Sequence, residues 1–408
     1  MLGTSYTLMN KNTELLDFNM YEGFVDEIYN VRHGVKNLLP YAFINENLNS
    51  SVAKYKMQKW WSSRRIPTSR KGIKDVMWEL RSEIRDSLDI FAEKSFGLSL
   101  SDQYWIRIDE SIKWSDVNFF TNEFSEDIGK LLIGGVWSKG NSLKSPDNTS
   151  DGIIPKCWKI IEGDRFLMKG SSSSMILQPQ PFREMLASRI AQILVAGLNK
   201  DFQTVVEYFI KQSTSGAVYS LCKNFITIDT EYVPIRSMFD SEGLSIDDFS
   251  TEEAYEFVEN IFGEHADILE LTLLLDFIVL NEDRHTGNLG MIRSSNTGEL
   301  LYPAPIFDTG NSLFYDSLDL NYRYRRAKPF HFNFNRQMGL FDFSKYIFQL
   351  TNLKKELESI FNECFNECFE DETRLNQLLY ILEMRIDMLL NNDIDFGFED
   401  FSPLTHFN

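Results

Sequence analysis

The chain has 408 residues, of which 41 are Lys or Arg and 60 are Asp or Glu, so the formal net charge is −19. The hydrophobic fraction of 43% and the charged fraction of 25% are ordinary for a globular protein and exclude an intrinsically disordered chain. The acidic excess argues against a dedicated DNA or RNA binder and against adhesion to anionic membranes, because both need cations. A local basic cleft for phosphate-bearing small molecules remains compatible with this charge.

Targeting segments and cysteine content indicate the cellular compartment and the redox state of the cysteines. The first 17 residues are polar and hold no apolar core of a signal peptide, and the longest apolar stretch, Ile268–Leu280, is short and interrupted by two acidic residues. Cys364 and Cys368 lie four residues apart, but no His or second Cys pair stands near them to complete a zinc site. We therefore expect a cytoplasmic protein with free thiols and no membrane contact.

The N-terminal quarter of the chain is predicted to be mostly helical over residues 11–100. The clearest pattern is Lys71–Phe96, where apolar residues recur at spacings of one, three and four. Trp60–Arg70 contains Pro67 and is predicted to be a turn whose tryptophans pack on the helical core. We interpret residues 1–125 as a mostly helical N-terminal extension.

The middle of the chain changes to a strand-rich pattern. Ser145–Gly152 is dense in turn-forming residues, and the apolar runs Cys157–Ile161 and Arg165–Lys169 are predicted to form a hairpin. Pro181–Gly197 has a proline near its start, helical periodicity and a glycine at its end, which predicts a helix. Phe225–Val233 is predicted to be another strand.

Helices dominate again from Thr251, except for a second predicted hairpin. Leu289–Ile292 and Leu300–Phe307 flank a turn at Asn296–Gly298. The aromatic run Phe330–Phe343 is better explained by packing than by stacking on nucleic-acid bases, given the acidic balance.

The most informative segment is Leu280–Gly290, LNEDRHTGNLG. Asp283 and Asn288 lie in a polar loop between an apolar helix and the second hairpin, and Asp308 stands at the far end of that hairpin. The hairpin returns the chain, so we expect Asp308 to lie near Asn288. Carboxylate and amide oxygens suit magnesium held together with substrate phosphates, and a further carboxylate can orient or deprotonate a hydroxyl. The alternative is a surface loop in which these residues occur by chance.

This order of residues resembles the catalytic and metal-binding loops of the protein-kinase-like fold. The Asp-Arg-His-x-x-Asn form, with Arg284 and His285 after the aspartate, resembles the HipA-like kinases of bacteria and, more distantly, the phosphoinositide-kinase branch. The resemblance extends to Ser145–Gly152 and the residues after it. It implies an α+β, two-lobed fold with a β-rich small lobe over residues 126–235 and a helical large lobe over residues 236–408.

The resemblance also implies roles for individual residues. Asp283 would act on the acceptor hydroxyl, while Asn288 and Asp308 would hold Mg²⁺. A phosphate-anchoring lysine must lie on an upstream strand, and Lys169 fits, with Glu184 on the next helix to hold it. Arg284 and His285 are expected to support the loop.

The remaining nucleotide contacts are predicted from position. Thr149, Ser150, Asp151 and Gly152 could cradle phosphates through their backbone, although an ordinary hairpin turn explains them as well. Ser171–Ser174 is a second candidate, either as a solvated turn or as an autophosphorylation site. Adenine is expected to be bound by backbone groups of the edge strand leading into the linker between lobes, at Glu231, Tyr232 and Val233.

The predicted function is transfer of phosphate from ATP, with Mg²⁺, to a serine or threonine hydroxyl of a protein substrate. The alternatives are a lipid or small-molecule kinase of the same fold, a non-catalytic nucleotide-binding regulator, and an interaction protein whose loop mimics the motif. Whether an antitoxin-like or regulatory protein binds is left open, because the N-terminal region departs from the better-known toxin kinase. No direct nucleic-acid binding is expected.

Overall fold

The computed structural model describes residues 4–65, 89–127, 129, 144–149, 154–171, 178–213, 216–320 and 325–395. Most of the helix predicted over Lys71–Phe96 lies outside these ranges, as do Ser150, Asp151 and Gly152. Among the described residues, no helix has the length and apolar character needed to cross a membrane. All four cysteines are free thiols, as expected.

An antiparallel four-stranded sheet with strand order β3-β2-β1-β4 forms the centre of the N-terminal unit. Its elements are β1 (Thr4–Asn10), β2 (Thr13–Tyr21), β3 (Phe24–Tyr29), α1 (Ser51–Ser63), α2 (Asp89–Lys94), β4 (Tyr104–Arg107) and the single turn α3 (Trp114–Val117). The prediction of helix for residues 11–29 is therefore wrong, and the described part of residues 1–125 is not mostly helical.

Period-two burial explains these strands. Leu16, Phe18 and Met20 are buried on one face of β2, which is the alternation of a half-buried strand. The turn between β2 and β3 is Glu22–Gly23, and both residues have positive φ, as a two-residue hairpin turn requires. Trp61 belongs to α1 rather than to a turn, and its ring stacks on Tyr6 of the sheet at 5.8 Å.

A second antiparallel sheet has the order β5-β6-β8-β7. Its elements are β5 (Lys156–Ile161), β6 (Asp164–Lys169), α4 (Gln180–Leu194), β7 (Tyr208–Gln212) and β8 (Val218–Lys223). The predicted hairpin and helix are both confirmed. The turn of the hairpin, Glu162–Gly163, has positive φ at both residues, like the turn between β2 and β3.

The third sheet contains β9 (Thr230–Pro234), β10 (Gly290–Ser294) and β11 (Leu300–Pro303) in the order β11-β10-β9. The second predicted hairpin is confirmed. The strand predicted over Phe225–Val233 begins only at Thr230, and it pairs with β10 as an edge strand of the third sheet. The side chain of Asn224 accepts the Ile226 N–H at 3.2 Å, which turns the chain away from β8 before β9 begins.

The C-terminal helices are α5 (Ile235–Ser241), α6 (Thr251–Phe262), α7 (Ala266–Val279), α8 (Phe334–Met338), α9 (Ile347–Phe365) and α10 (Glu372–Leu390). They confirm the predicted helical C-terminal region. In the largest hydrophobic core, α7 packs against α4 and α10, and α9 packs against the same two helices; the core includes Phe330, Phe334 and Phe343 of the aromatic run. Burial of these aromatic side chains confirms their use in packing.

Helix α7 is buried on every side, since each residue from Ile268 to Val279 is buried. It ends at Leu280, which has left-handed backbone geometry with φ of 52°. The polar loop at residues 281–289 follows directly, so its position is fixed by a helix that is buried along most of its length.

Candidate active site

A buried lysine joins the second sheet to the segment after the third. Lys169 at the end of β6 contacts Glu184 of α4, with 2.5 Å between Nζ and Oε1, and Asp308, with 2.7 Å between Nζ and Oδ1. Ser220 of β8 donates its hydroxyl to the other oxygen of Glu184 at 2.5 Å. The structure thus brings together three residues that the sequence analysis selected.

Small residues on α4 allow this close approach. Ala187, Ser188 and Ala191 follow Glu184 along the helix and are all buried. Ser188 donates its hydroxyl to the carbonyl of Val206 at 2.8 Å, which ties the helix to the segment before β7. Glu184 consequently lies close to the strands, because the helix that carries it packs tightly on them.

The charged forms of Lys169 and Asp308 stabilise each other. Burial opposes the charged form of Lys169, but Asp308 and Glu184 outweigh it and raise the pKa of Lys169 well above its usual value. Burial likewise opposes ionisation of Asp308, but Lys169, Lys156 and Arg284 outweigh it and hold the pKa of that carboxyl below its usual range. Both groups therefore stay charged across the physiological pH range.

Asn288 and Asp308 meet as the hairpin argument predicted. Asn288 donates its side-chain N–H to Oδ2 of Asp308 at 2.9 Å. Asp308 has left-handed backbone geometry with φ of 59°, and its N–H donates to the hydroxyl of Tyr208 at 3.2 Å. An aspartate tolerates this conformation better than most residues, and the conformation directs its carboxylate between Lys169 and Asn288.

The chemistry of these donors fits Mg²⁺. An ionised carboxylate and a carboxamide oxygen are hard ligands, and rotation of the Asn288 amide would present its oxygen beside Asp308. Within the described ranges, no group of three or more His, Cys, Asp and Glu side chains is placed to hold a metal ion. A magnesium ion here would need further oxygen ligands from substrate phosphates, which is the usual arrangement for this ion.

Both carboxylate oxygens of Asp283 are hydrogen-bonded. Oδ2 accepts the side-chain N–H of Asn311 at 2.9 Å, and Oδ1 lies 3.1 Å from Nζ of Lys328. Asn311 in turn accepts from Gln180 of α4 at 2.6 Å, and Gln180 accepts from the hydroxyl of Ser171 at 2.9 Å. This chain of contacts connects the catalytic-loop candidate to the second sheet.

Sequence analysis missed Asn311, Gln180 and Lys328. Asn311 stands three residues after Asp308 in a segment rich in polar and small residues, so its position could have identified it as a candidate site residue. Gln180 carries no local signal, because its contact with Asn311 spans 131 residues of chain. Lys328–Phe330 only weakly resembles the HipA-like pattern, and the contact of Lys328 with Asp283 spans 45 residues.

Arg284 has a supporting position, as expected. Its fully buried guanidinium contacts the carboxylate of Asp276 in α7 at 2.8 Å and donates to the carbonyls of Asn288 at 3.3 Å and Phe307 at 2.6 Å. It therefore ties α7, the loop and the residue before Asp308 together. His285 accepts the Gly287 N–H through Nδ1 at 3.0 Å, and burial lowers its pKa, so it is neutral at neutral pH.

A cavity of about 820 Å³ adjoins these residues. Lys169, Asn288 and Asp308 line one part of it, and Leu167, Cys222 and the connection 223–226 line another. The N-terminal unit forms a further wall through α1 and the segment before β4, which includes Trp60, Arg64 and Ser101. The cavity is thus lined by the N-terminal unit, by the second sheet and by residues that flank the third sheet.

The residues predicted to bind adenine line this cavity but are partly engaged elsewhere. The carboxylate of Glu231 contacts Arg293 at 2.7 Å and accepts from the hydroxyl of Tyr104 at 3.2 Å. Burial raises the pKa of Glu231 to about 7, with Arg293 opposing the shift. The Tyr232 N–H donates to the carbonyl of Ser101 at 2.9 Å, while Val233 is buried.

Of the predicted phosphate loop, the structure describes only the beginning. Thr149 ends a 3-10 turn over Pro146–Thr149. Asp147 in that turn is buried and accepts the Trp158 N–H at 2.7 Å, so the turn is fixed against β5. Ser171 is placed by its hydrogen bond to Gln180, and residues 172–174 lie outside the described ranges.

No protein-family model matches the sequence, and no curated protein matches it. Among solved structures, the chain is similar to the Helicobacter pylori proinflammatory kinase CtkA, with a TM-score of 0.46 and 18% identity over 61% of this chain and 94% of that one. It is also similar to the open conformation of CtTel1, with a TM-score of 0.29 and 12% identity over 60% of this chain and 12% of that one. Because these TM-scores are low, we draw no functional conclusion from either likeness.

Proposed function

We propose that this protein is a kinase that transfers the γ-phosphoryl group of ATP to a hydroxyl group, with Mg²⁺ as cofactor. The observation that carries the proposal is the buried contact of Lys169 with Glu184 and Asp308, with Asn288 on the second oxygen of Asp308. A buried ion pair is costly to maintain, so its position at the wall of a large cavity favours a functional use over a structural one.

In this proposal, Asn288 and the carboxylate of Asp308 hold magnesium, which when bound neutralises charge on the β- and γ-phosphates. Lys169 keeps its contact with Glu184 and turns its remaining N–H groups to phosphate oxygens. The ammonium has three donors, so Glu184 can retain one of them. The 820 Å³ cavity has room for a nucleotide.

Asp283 acts on the acceptor. The contact with Asn311 fixes the orientation of its carboxylate, which is half-exposed and therefore reachable by an incoming hydroxyl. Asp283 orients that hydroxyl and accepts its proton as the oxygen attacks phosphorus.

For the nucleotide, we propose contacts in two regions. Glu231, Tyr232 and Val233 line the adenine end together with the connection 223–226, where β8 leaves the second sheet. Thr149, Ser150, Asp151 and Gly152 remain the proposed backbone cradle for phosphates. The small lobe would span residues 126–235 and the large lobe residues 236–408, in a two-lobed, HipA-like arrangement.

For the acceptor, we propose a serine or threonine of a cytoplasmic protein substrate. Support comes from the Asp-Arg-His-x-x-Asn pattern and from the four free thiols, which suit a reducing compartment. A lipid or small-molecule acceptor is the alternative within the same chemistry. A non-catalytic nucleotide-binding regulator is disfavoured, because Lys169, Asp283, Asn288 and Asp308 are all present.

Product analysis tests the proposal. The purified protein is incubated with γ-labelled ATP and Mg²⁺, and separately with protein, lipid and sugar acceptors, and labelled products are identified by electrophoresis and chromatography. We expect label on serine or threonine of protein. Label only on lipid or sugar would move the protein to the alternative class, and nucleotide binding without any transfer would favour the regulator.

A further inference from the structure

Lys328 stands beside the proposed catalytic aspartate, although the sequence analysis gave it no role in the site. Its Nζ lies 3.1 Å from Oδ1 of Asp283, and the two side chains are 51% and 40% exposed. The ammonium therefore sits at the open side of the aspartate, where an acceptor hydroxyl would have to approach.

The backbone that carries Lys328 is anchored on both sides. Gln337 donates its side-chain N–H to the Lys328 carbonyl at 3.1 Å and accepts the Phe330 N–H at 3.2 Å. Ala327 and Phe330 are buried, and the Phe330 ring lies 5.6 Å from that of Tyr255. A flexible four-carbon side chain thus extends from a fixed point on the helical core.

Three neighbouring cations are committed to other partners. Arg284 is fully buried against Asp276, and Arg325 contacts Glu282 and Asp316 at 2.9 and 2.8 Å. Lys169 lies on the far side, between Glu184 and Asp308. Lys328 is the described cation whose charged end is both half-exposed and in contact with Asp283.

We propose that Lys328 binds the γ-phosphoryl group during transfer. This inference rests on the proposed kinase function. The acceptor oxygen forms a bond to Pγ as the bond from Pγ to the β–γ bridging oxygen breaks, ADP leaves with that electron pair, and the hydroxyl proton passes to Asp283. Negative charge on the equatorial oxygens then faces Lys328, which moves from the Asp283 carboxylate to those oxygens. A preorganised cation at this position stabilises the transition state more than the ground state.

Two substitutions and a matched control test the proposal. Lys328→Met should lower kcat by roughly 10²-fold, the scale of losing one charged or hydrogen-bonding group at a transition state, while ATP affinity stays within about threefold of wild type. Lys328→Arg keeps the charge and should recover most of the loss. Lys354→Met removes a similarly exposed lysine from its ion pair with Asp387, far from the site, and should leave kcat unchanged.

A second pair of variants separates contact with phosphate from simple positioning of Asp283. If Lys328 acts through the phosphoryl group, Lys328→Met should reduce the residual transfer of an Asp283→Asn protein by roughly a further tenfold. No further loss in that background would reduce Lys328 to a positioning residue and overturn the proposal. Full activity of the Lys328→Met variant, measured beside an active wild-type protein, would also overturn the proposal. The kinase function would then still stand. A wild-type protein that binds ATP but transfers nothing would overturn both.

Discussion

Lys169 and Asp308 are separated by 139 residues of chain, yet their side chains meet at 2.7 Å in an ion pair whose lysine is buried and whose carboxylate is partly exposed. The contact joins the end of a strand in the second sheet to the segment after the hairpin of the third. Because Glu184 holds the same lysine from α4, three separate elements of the fold must be correctly packed for the pair to form. This dependence on the whole fold makes the pair a sensitive site for experiments.

Nucleotide binding should stabilise the protein. A ligand of the native state adds RT ln(1 + [L]/Kd) to the free energy of unfolding, which is about 2.7 kcal/mol at a concentration 100-fold above Kd. We expect ATP with magnesium to raise the melting temperature in differential scanning fluorimetry. Absence of a shift at millimolar ATP, with and without magnesium, would remove the nucleotide site from the account.

Substitutions of Asp308 and Asp283 should affect ATP binding and phosphoryl transfer differently. Asp308→Asn removes a proposed magnesium ligand and one of the two anionic partners of Lys169, so magnesium-dependent ATP affinity should fall. Asp283→Asn should leave ATP binding nearly intact while it lowers transfer by about 10²-fold or more, the scale of general-base effects. Calorimetric titration and label transfer measure the two effects separately. Equal loss of ATP binding in both variants would contradict the assigned roles.

The lysine and glutamate should behave as one unit. Lys169→Met leaves Glu184 and Asp308 without their shared cation, and Glu184→Gln leaves Lys169 with Asp308 alone. Unpaired buried charges commonly cost several kcal/mol, so each single variant should lose most activity. The double variant should be little worse than either single one. Values of kcat/KM for the four proteins decide this, and additive losses would mean that the two side chains act independently.

Glu231 should make stability depend on pH. Its folded-state pKa of about 7 is above the ordinary value of 4.5, so the folded protein binds this proton more tightly than the unfolded chain does. The associated stabilisation is fully present below about pH 4.5 and is lost as the pH rises through about 7. In urea unfolding, the free energy of unfolding of the wild type should fall between pH 5 and pH 8 relative to that of Glu231→Gln, which lacks this ionisable group. Parallel pH profiles for the two proteins would contradict the raised pKa.

Local patterns predicted the elements nearest the site and little of what lies around them. The β5–β6 hairpin, helix α4 and the loop after α7 follow from turn residues and periodicity, and the positions of Asn288 and Asp308 follow from the hairpin between them. The first sheet was missed because Leu16, Phe18 and Met20 alternate within a segment that also contains adjacent leucines, which weakens the period-two signal.

Long-range contacts account for the rest of what the sequence could not show. Glu231 was selected for a nucleotide role, but its carboxylate is held by Arg293 and Tyr104, which lie 62 and 127 residues away. Asn311, Gln180 and Lys328 reach the site in the same way. Such pairings depend on how sheets and helices pack, and no local spacing encodes them.

Transfer of labelled phosphate tests the central claim most directly. Wild-type protein and Asp308→Asn are incubated with γ-labelled ATP, magnesium and a mixture of protein acceptors, and protein-bound label is counted over time. The account predicts steady, magnesium-dependent incorporation by the wild type and loss of nearly all of it in Asp308→Asn. Equal incorporation by the two proteins, or no incorporation by a wild type that binds ATP, would contradict it.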